Sequence, residues 1–226
     1  YALGDFGSCP ALYFWRITVK SIDRATITKE ICAAAKLYKQ KLVGKRFLYV
    51  FEGQYIEVIY KASNFKHLTG VESSLAARQF YSYSARNILS PNQISFTPLH
   101  PYQLCKRKLA HIKDIATLAG AESFMLEEVK TNTKTYKFGT TDLNFSLLLD
   151  LERDSNGNVK GTSYIVESLR DENCFSKSNS AYTISHIFST TTDAKLYTDL
   201  LFMDSDYTLE DLPEDVKKKL DESLLQ

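Results

Sequence analysis

The chain has 226 residues, with 28 lysines and arginines against 27 aspartates and glutamates, which gives a formal net charge of +1. Glycine (9) and proline (5) are scarce, which excludes a low-complexity or collagen-like chain. The near-neutral charge excludes nucleic-acid binding by bulk electrostatics alone. The length is sufficient to bury a real core, and we expect a cytoplasmic protein.

The first elements along the chain are a strand, a helix and a hairpin. Residues 13–19 are rich in aromatic and β-branched side chains, which is typical of a strand. Thr28 is a plausible N-cap for a helix that ends at Gly44, because apolar residues recur at helical spacing between them. Residues 46–51 and 55–60 are predicted to be strands joined by a short turn.

Two further helices follow a turn-like stretch over residues 62–70. The pattern predicts a helix over residues 73–86 and another over residues 101–118, which ends before Gly120. The second helix carries the basic run 106–108. This run either contacts phosphates along a nucleic acid or forms a solvated helix face.

The residues after 123 show a pattern of side chains that is typical of strands. We expect an antiparallel meander of four or five strands, over residues 124–130, 135–138, 143–151, 164–169 and 182–188. With the helices before it, this predicts an α+β fold in which N-terminal helices pack on the sheet, with the small hairpin beside them.

The charge is distributed unevenly along the chain. Residues 204–226 carry eight acidic residues and three lysines, a net charge of −5, which leaves +6 for residues 1–203. We expect one α+β domain over residues 1–203, with a helical part up to 120 and a sheet part from 121. The acidic C-terminal residues are predicted to form a short amphipathic helix over residues 216–224.

The sequence lacks the motifs of several classes of enzyme. The chain has no glycine-rich phosphate loop, no GxSxG elbow and no HExxH pair, so we expect no cofactor. Neither the histidines nor the four cysteines stand at metal-ligand spacing, and buried free thiols are expected at Cys32 and Cys105. The longest apolar runs are too short to span a membrane, and no signal peptide is recognised.

The stretch 64–70 is the most suggestive of chemistry. It places His67 beside Lys66 in a predicted loop between a strand and a helix, and it ends at Gly70. A histidine held there can act as a general acid or base. Alternatively, His67 only caps the next helix or binds a loop carbonyl.

The residues from the hairpin through Phe65-Lys-His-Leu-Thr-Gly-Val71 carry a resemblance to a known family. They resemble the phage-associated branch of the barnase/EndoU/colicin/RelE-like nucleases, which typically show an aromatic residue followed by His-Leu-x-Gly. The segments 136–140, 164–170 and 182–188 are similar to the strands of that family, and the likeness spans about residues 27–204.

The resemblance implies a metal-independent endoribonuclease in which a base activates the ribose 2′-hydroxyl to attack phosphorus, leaving a 2′,3′-cyclic phosphate. It implies five catalytic candidates: His67, Lys137, Ser168, Arg170 and His186. It also implies five substrate-binding candidates: Lys66, Thr69, Thr140, Lys106 and Arg107. Ser185 and His186 point to opposite faces of one strand, so at most one of them faces the site.

The sequence leaves three functions open. The protein is either an RNA-cleaving toxin or effector of a phage or mobile element, or an inactive module that binds another protein. A structural component of a mobile-element particle is a third possibility. The expected partners are RNA and a protein such as an antitoxin or a defence protein, with no membrane.

Overall fold

The computed structural model describes residues 23–225, so the predicted strand over residues 13–19 and Cys9 lie outside the described residues. The described part contains six α-helices: α1 (Arg24–Lys41), α2 (Phe65–Thr69), α3 (Ala77–Ala85), α4 (Tyr102–His111), α5 (Ile115–Leu118) and α6 (Glu214–Lys217). It also contains nine strands: β1 (Lys45–Phe51), β2 (Gln54–Ile59), β3 (Phe124–Lys130), β4 (Thr135–Thr141), β5 (Ser146–Arg153), β6 (Val159–Arg170), β7 (Ser180–Thr183), β8 (His186–Thr191) and β9 (Asp199–Met203).

All nine strands belong to one sheet, in the order β7-β3-β4-β5-β6-β2-β1-β8-β9. The α+β prediction is therefore confirmed, but the predicted four or five strands are too few. The hairpin β1–β2 is not a separate unit, because β2 pairs with β6 and β1 pairs with β8. The β2–β6 pairing is parallel, so the sheet is mixed rather than an antiparallel meander.

The sheet is curled rather than open. Strands β7 and β8 lie seven positions apart in the sheet order, which would separate them by roughly 34 Å in a flat sheet. Only Ile184 and Ser185 connect them, and a link of that length spans roughly 10 Å. The ring of Phe51 in β1 packs 5.7 Å from Tyr182 in β7, which closes the curl. The predicted single strand over residues 182–188 is therefore two strands that stand seven positions apart in the sheet order.

Helix α1 packs its apolar stripe, which includes Ile27, Ile31 and Tyr38, into the main core. Its N-cap is Asp23, whose side chain accepts a hydrogen bond from the backbone N–H of Thr26 at 2.9 Å. The predicted cap Thr28 lies inside the helix instead, where its hydroxyl donates to the Arg24 carbonyl.

The other predicted helices are shorter than expected. The helix predicted over residues 73–86 is only Ala77–Ala85, because Lys66 Nζ binds the carbonyls of Ser73 and Leu75 and holds that segment outside the helix. The helix predicted over 101–118 is broken into α4 and α5. Conversely, part of the expected turn over residues 62–70 is the short helix α2.

The acidic C-terminal residues pack against the sheet. Leu212, Val216 and Leu220 are buried in a second core with residues of β1 and β8. The helix predicted over 216–224 is instead the single turn α6 followed by a 3₁₀ turn at Glu222–Leu224. None of the helices in residues 23–225 is both long and apolar enough to cross a membrane.

Candidate active site around His67

Helix α2 lies beside β6 at the point where β2 has ended. The side-chain amide of Asn64 donates to the carbonyl of Val166 in β6 at 2.8 Å. The backbone pairing of β2 with β6 has ended one residue earlier, at Ile165, so this hydrogen bond continues the contact with β6. Phe65 and Leu68 are fully buried and anchor α2 to the core. The residues between them on the helix, Lys66 and His67, therefore face outward, and His67 is exposed.

Gly70 allows α4 to approach α2 closely. Its φ of +73° is left-handed, and a Cβ added there would lie 3.0 Å from Lys108 Cδ and 3.3 Å from the Cα of Cys105. Lys108 is only 6% exposed, and its Nζ donates to the His67 carbonyl at 3.1 Å. Glycine at position 70 thus lets a buried lysine stabilise the C-terminal end of α2 directly below His67.

The electrostatic surroundings keep the His67 imidazole neutral. Partial burial of the ring and the positive charge of Lys108 lower the pKa of His67 to about 4. The charges of His100 and Arg170 act in the same direction, against an opposing effect of Glu72. No hydrogen bond from residues 23–225 engages the imidazole, so at neutral pH a ring nitrogen is available as a base.

Two hollows open on either side of His67. The first, of about 170 Å³, is also lined by Lys66, Glu72 and His100. In it, His100 Nδ1 lies 2.5 Å from a carboxylate oxygen of Glu72. The second hollow, of about 300 Å³, is lined by Ser63, Asn64, Tyr136 and Glu167. His67 thus lines both hollows.

A third hollow, of about 180 Å³, lies on the other side of Lys108. Arg170, at the end of β6, and Arg107, on α4, line it together with Lys108. Burial and the charge of Arg170 lower the pKa of Lys108 to about 8, so this lysine is still mostly protonated at pH 7. The structure therefore brings Lys108 of α4 and Arg170 of β6 close enough to His67 for their charges to lower its pKa.

Two predicted substrate-binding residues are engaged by backbone carbonyls of their own segment. Thr69 is fully buried, and its hydroxyl donates to the Lys66 carbonyl at 2.6 Å. The Lys66 ammonium donates to the carbonyls of Ser73 and Leu75 at 2.7 and 3.1 Å. In this structure both residues hold the segment around α2, and the Lys66 stem also forms part of the hollow wall.

Three of the predicted residues on the sheet lie away from the hollows around His67. Ser168 and Thr140 are buried in β6 and β4, and the hydroxyl of Thr140 has no partner within residues 23–225. Lys137 pairs with Glu127 at 2.9 Å and lines a different hollow with Tyr55 and Tyr164. Of the predicted basic helix residues, Lys106 is exposed outside these hollows, whereas Arg107 lines one.

His186 is held in a different environment. The side chain is 1% exposed, with Nδ1 3.0 Å from Ser185 Oγ and Nε2 donating to the Thr208 carbonyl at 3.1 Å. Its ring stacks on Phe188 with an interplanar angle of 5°. Burial lowers its pKa as well, but both ring nitrogens are occupied under the C-terminal segment.

Sequence reasoning missed the separate position of Lys108 within the basic run. One face of α4 carries residues at helical spacing: Cys105, Lys108, Leu109 and Ile112. Lys108 therefore stands on the apolar stripe, whereas Lys106 and Arg107 do not. That position indicates burial rather than a solvated face. His100 was also missed, and its place between two prolines in a loop gives no comparable indication.

The structure shows no group of three or more metal-ligating side chains within residues 23–225. In the same range, Cys32, Cys105 and Cys174 are buried free thiols, which confirms the expectation for the first two.

The comparison with known families identifies the chain. The model of one family, described as phage-Barnase-EndoU-ColicinE5/D-RelE like nuclease4 (PBECR4), matches residues 30–205. The chain belongs to this nuclease family. The match runs from within α1 to just beyond β9, so the PBECR4 region includes α2, Lys108 and Arg170. Most of the packed acidic segment lies outside it. No curated protein and no solved structure matched the chain.

Proposed function

We propose that this PBECR4 nuclease is an endoribonuclease that cleaves RNA by attack of the ribose 2′-hydroxyl, without a metal ion. The observation that carries the proposal is His67, an exposed histidine with a free, neutral ring beside two hollows and near the cations Lys108 and Arg170. A neutral imidazole accepts a proton, and neighbouring cations stabilise the negative charge that develops on the reacting phosphate.

In the proposed reaction, His67 removes the 2′-hydroxyl proton and the oxygen attacks the adjacent phosphorus. Lys108 and Arg170 lie close enough to act on His67 by their charge, and they stabilise the pentavalent intermediate at a distance, without contacting it. His100, across the hollow from His67 and beside Glu72, donates the proton that the leaving 5′-oxygen takes up. The products are a 2′,3′-cyclic phosphate and a 5′-hydroxyl, so no water or cofactor is consumed.

Substrate binding adjusts the basicity of His67 in this proposal. A pKa of about 4 makes the free histidine a weak base. A phosphate bound beside it brings negative charge, which raises the pKa of His67 toward neutrality and improves proton transfer when substrate is present.

The test uses a DNA oligonucleotide that contains a single ribonucleotide, incubated with the full chain in EDTA. We expect cleavage after the ribonucleotide with a 2′,3′-cyclic phosphate end, and no cleavage when that 2′-hydroxyl is methylated. The His67→Gln variant should lose the activity. Cleavage of the methylated substrate, or activity only with added metal, would contradict the mechanism.

A second candidate function is that of an inactive module that binds another protein. It is supported by β9, an edge strand whose side chains Leu200, Leu201 and Met203 are 36–41% exposed. Apolar edge strands invite pairing with a partner strand. Absence of cleavage of any RNA, together with tight binding of a protein partner that a Leu200→Lys change abolishes, would favour this function.

The biological setting is also a proposal. The word phage in the family description supports a role as a toxin or effector of a phage or mobile element, with an antitoxin or a defence protein as the protein partner. A toxin should stop the growth of cells that express it, and the His67→Gln variant should not.

A further inference from the structure

Three cations, Arg107, Lys108 and Arg170, line one hollow together with the carboxylates of Asp171 and Glu172. None of the three side chains forms an ion pair with a carboxylate within residues 23–225. Such an accumulation of positive charge is costly, because each charge raises the energy of the others. The effect is visible on Lys108, whose pKa the charge of Arg170 helps to lower.

The two carboxylates at the rim of this hollow are directed to other cations. Asp171 contacts His111 Nε2 at 2.7 Å, and Glu172 accepts two hydrogen bonds of 2.6 Å from Lys177. Both carboxylates therefore contact His111 or Lys177 rather than the three cations of the hollow. The hollow therefore has three cations that form no direct ion pair within the described part of the chain.

Two of the basic side chains are also incompletely hydrogen-bonded. The Nε of Arg170 is buried and has no partner within the described residues. Lys108 is 94% buried, and its ammonium group has a single acceptor there, the His67 carbonyl. Buried donors without partners are rare because each costs free energy. An anion in the hollow would satisfy both groups at once.

We propose that the hollow lined by Arg107, Lys108 and Arg170 binds a phosphate group of the nucleic-acid substrate, separate from the phosphate that reacts beside His67. Guanidinium groups bind phosphate through paired hydrogen bonds, and a buried ammonium adds a point charge. The identification of the ligand as part of a substrate rests on the proposed function. The phosphate comes either from an internal linkage or from a terminal phosphate of the strand.

The first test measures binding of inorganic phosphate to the full chain at constant ionic strength, by NMR titration and by the shift in melting temperature. We expect wild type and Lys106→Gln to bind equally. Lys106 is the matched control, because it is an exposed cation beside Arg107 on α4 but outside the hollow. Arg170→Gln and Arg107→Gln should each weaken binding at least tenfold.

Inorganic phosphate also separates this proposal from the proposed function. His67→Gln should still bind phosphate in the hollow even if the protein cleaves no RNA. Arg107 is exposed, so its substitution keeps the test valid if Arg170→Gln fails to fold. Equal phosphate affinity in wild type, Arg107→Gln and Lys106→Gln, or no phosphate binding at all, would overturn the proposal.

The second test identifies the source of the phosphate with 2′-O-methyl oligonucleotides, which lack the attacking hydroxyl. A strand with a 5′-phosphate that binds more tightly than its unphosphorylated twin indicates a terminal phosphate, and equal binding of the two indicates an internal linkage. In both cases Arg107→Gln should reduce the affinity and lower the slope of log affinity against log salt by about 0.7 relative to Lys106→Gln. No difference between these two variants would contradict the proposed site.

Discussion

His67 and His186 differ in almost everything except the direction of their pKa shift. Both pKa values are lowered, and burial is the largest cause in each case. His186, however, lies in the core with both ring nitrogens engaged, whereas His67 presents an unengaged ring to two hollows among cations. The comparison teaches that a perturbed pKa does not by itself mark a functional histidine, and that free ring nitrogens beside a cavity are the better criterion.

The largest stability difference between the two histidines is expected on removing their side chains. His186→Ala should destabilise the fold by about 2–4 kcal/mol, because it leaves a cavity beside Phe188 and the Thr208 carbonyl without its donor. His67→Ala should change stability by less than about 0.5 kcal/mol. Urea unfolding of both variants measures this, and equal destabilisation would contradict the assignment of His67 to an open site.

A change at Gly70 should affect only the surroundings of His67. Gly70→Ala is expected to cost about 1–2 kcal/mol because φ is +73°, and it should also push Lys108 and α4 away from α2. In NMR spectra the His67 ring signals should shift while those of His186 stay in place. Gly53→Ala is a matched control, since Gly53 also has a positive φ but nothing lies within 4 Å of an added Cβ. If the His67 ring signals shifted equally in Gly70→Ala and Gly53→Ala, the effect of Gly70 on His67 would not be local.

Removing the positive charge of Lys108 should change the pKa of His67 but not that of His186. Lys108→Met keeps the apolar stem but removes the ammonium, so the pKa of His67 should rise above about 4 while that of His186 does not move. The pKa of His67 should stay below 6.5, because burial is the larger cause of its shift. NMR titration of the ring protons of both histidines measures this. Lys106→Met is the control for general charge effects. An unchanged pKa of His67 would show that Lys108 is not its electrostatic neighbour.

The low pKa of His67 should also make the stability of the protein depend on pH. His67 has a pKa of about 4 when folded and an ordinary value near 6.5 when unfolded, so the unfolded chain binds more protons between these values. The stability of the wild type should therefore fall as the pH falls from 6.5 to 4, and His67→Gln should reduce that fall. Melting temperatures at pH 7 and pH 4.5 compare the two proteins. A larger fall of the melting temperature in His67→Gln than in the wild type would contradict this prediction.

The sequence predicts the local elements of this fold better than their pairing. The hairpin is predicted because Glu52-Gly53 forms its turn and apolar residues flank it. The parallel contact of β2 with β6 joins residues about 106 positions apart, as between Val58 and Tyr164, and no local pattern encodes it. Strand β9 was missed because its side chains are mostly exposed and show no alternation of apolar and polar residues.

The candidate site was only partly predictable for the same reason. His67 could be found because a histidine before Gly70 stands in a segment that links a strand and a helix. The charges around it come from α4 and from the end of β6, which the fold alone brings to α2. For Lys137 and His186, the resemblance pointed to catalytic roles, but the structure gives them partners in other parts of the sheet.

The most direct test of the account compares cleavage rates of His67→Gln and His186→Gln with wild type, under single-turnover conditions in EDTA on one ribonucleotide-containing substrate. Each protein is measured well below its own melting temperature, so that all are folded. The account predicts a loss of about 10²–10⁴ for His67→Gln and a rate within a few-fold of wild type for His186→Gln. The reverse pattern, with His67→Gln active and His186→Gln inactive while folded, would contradict it.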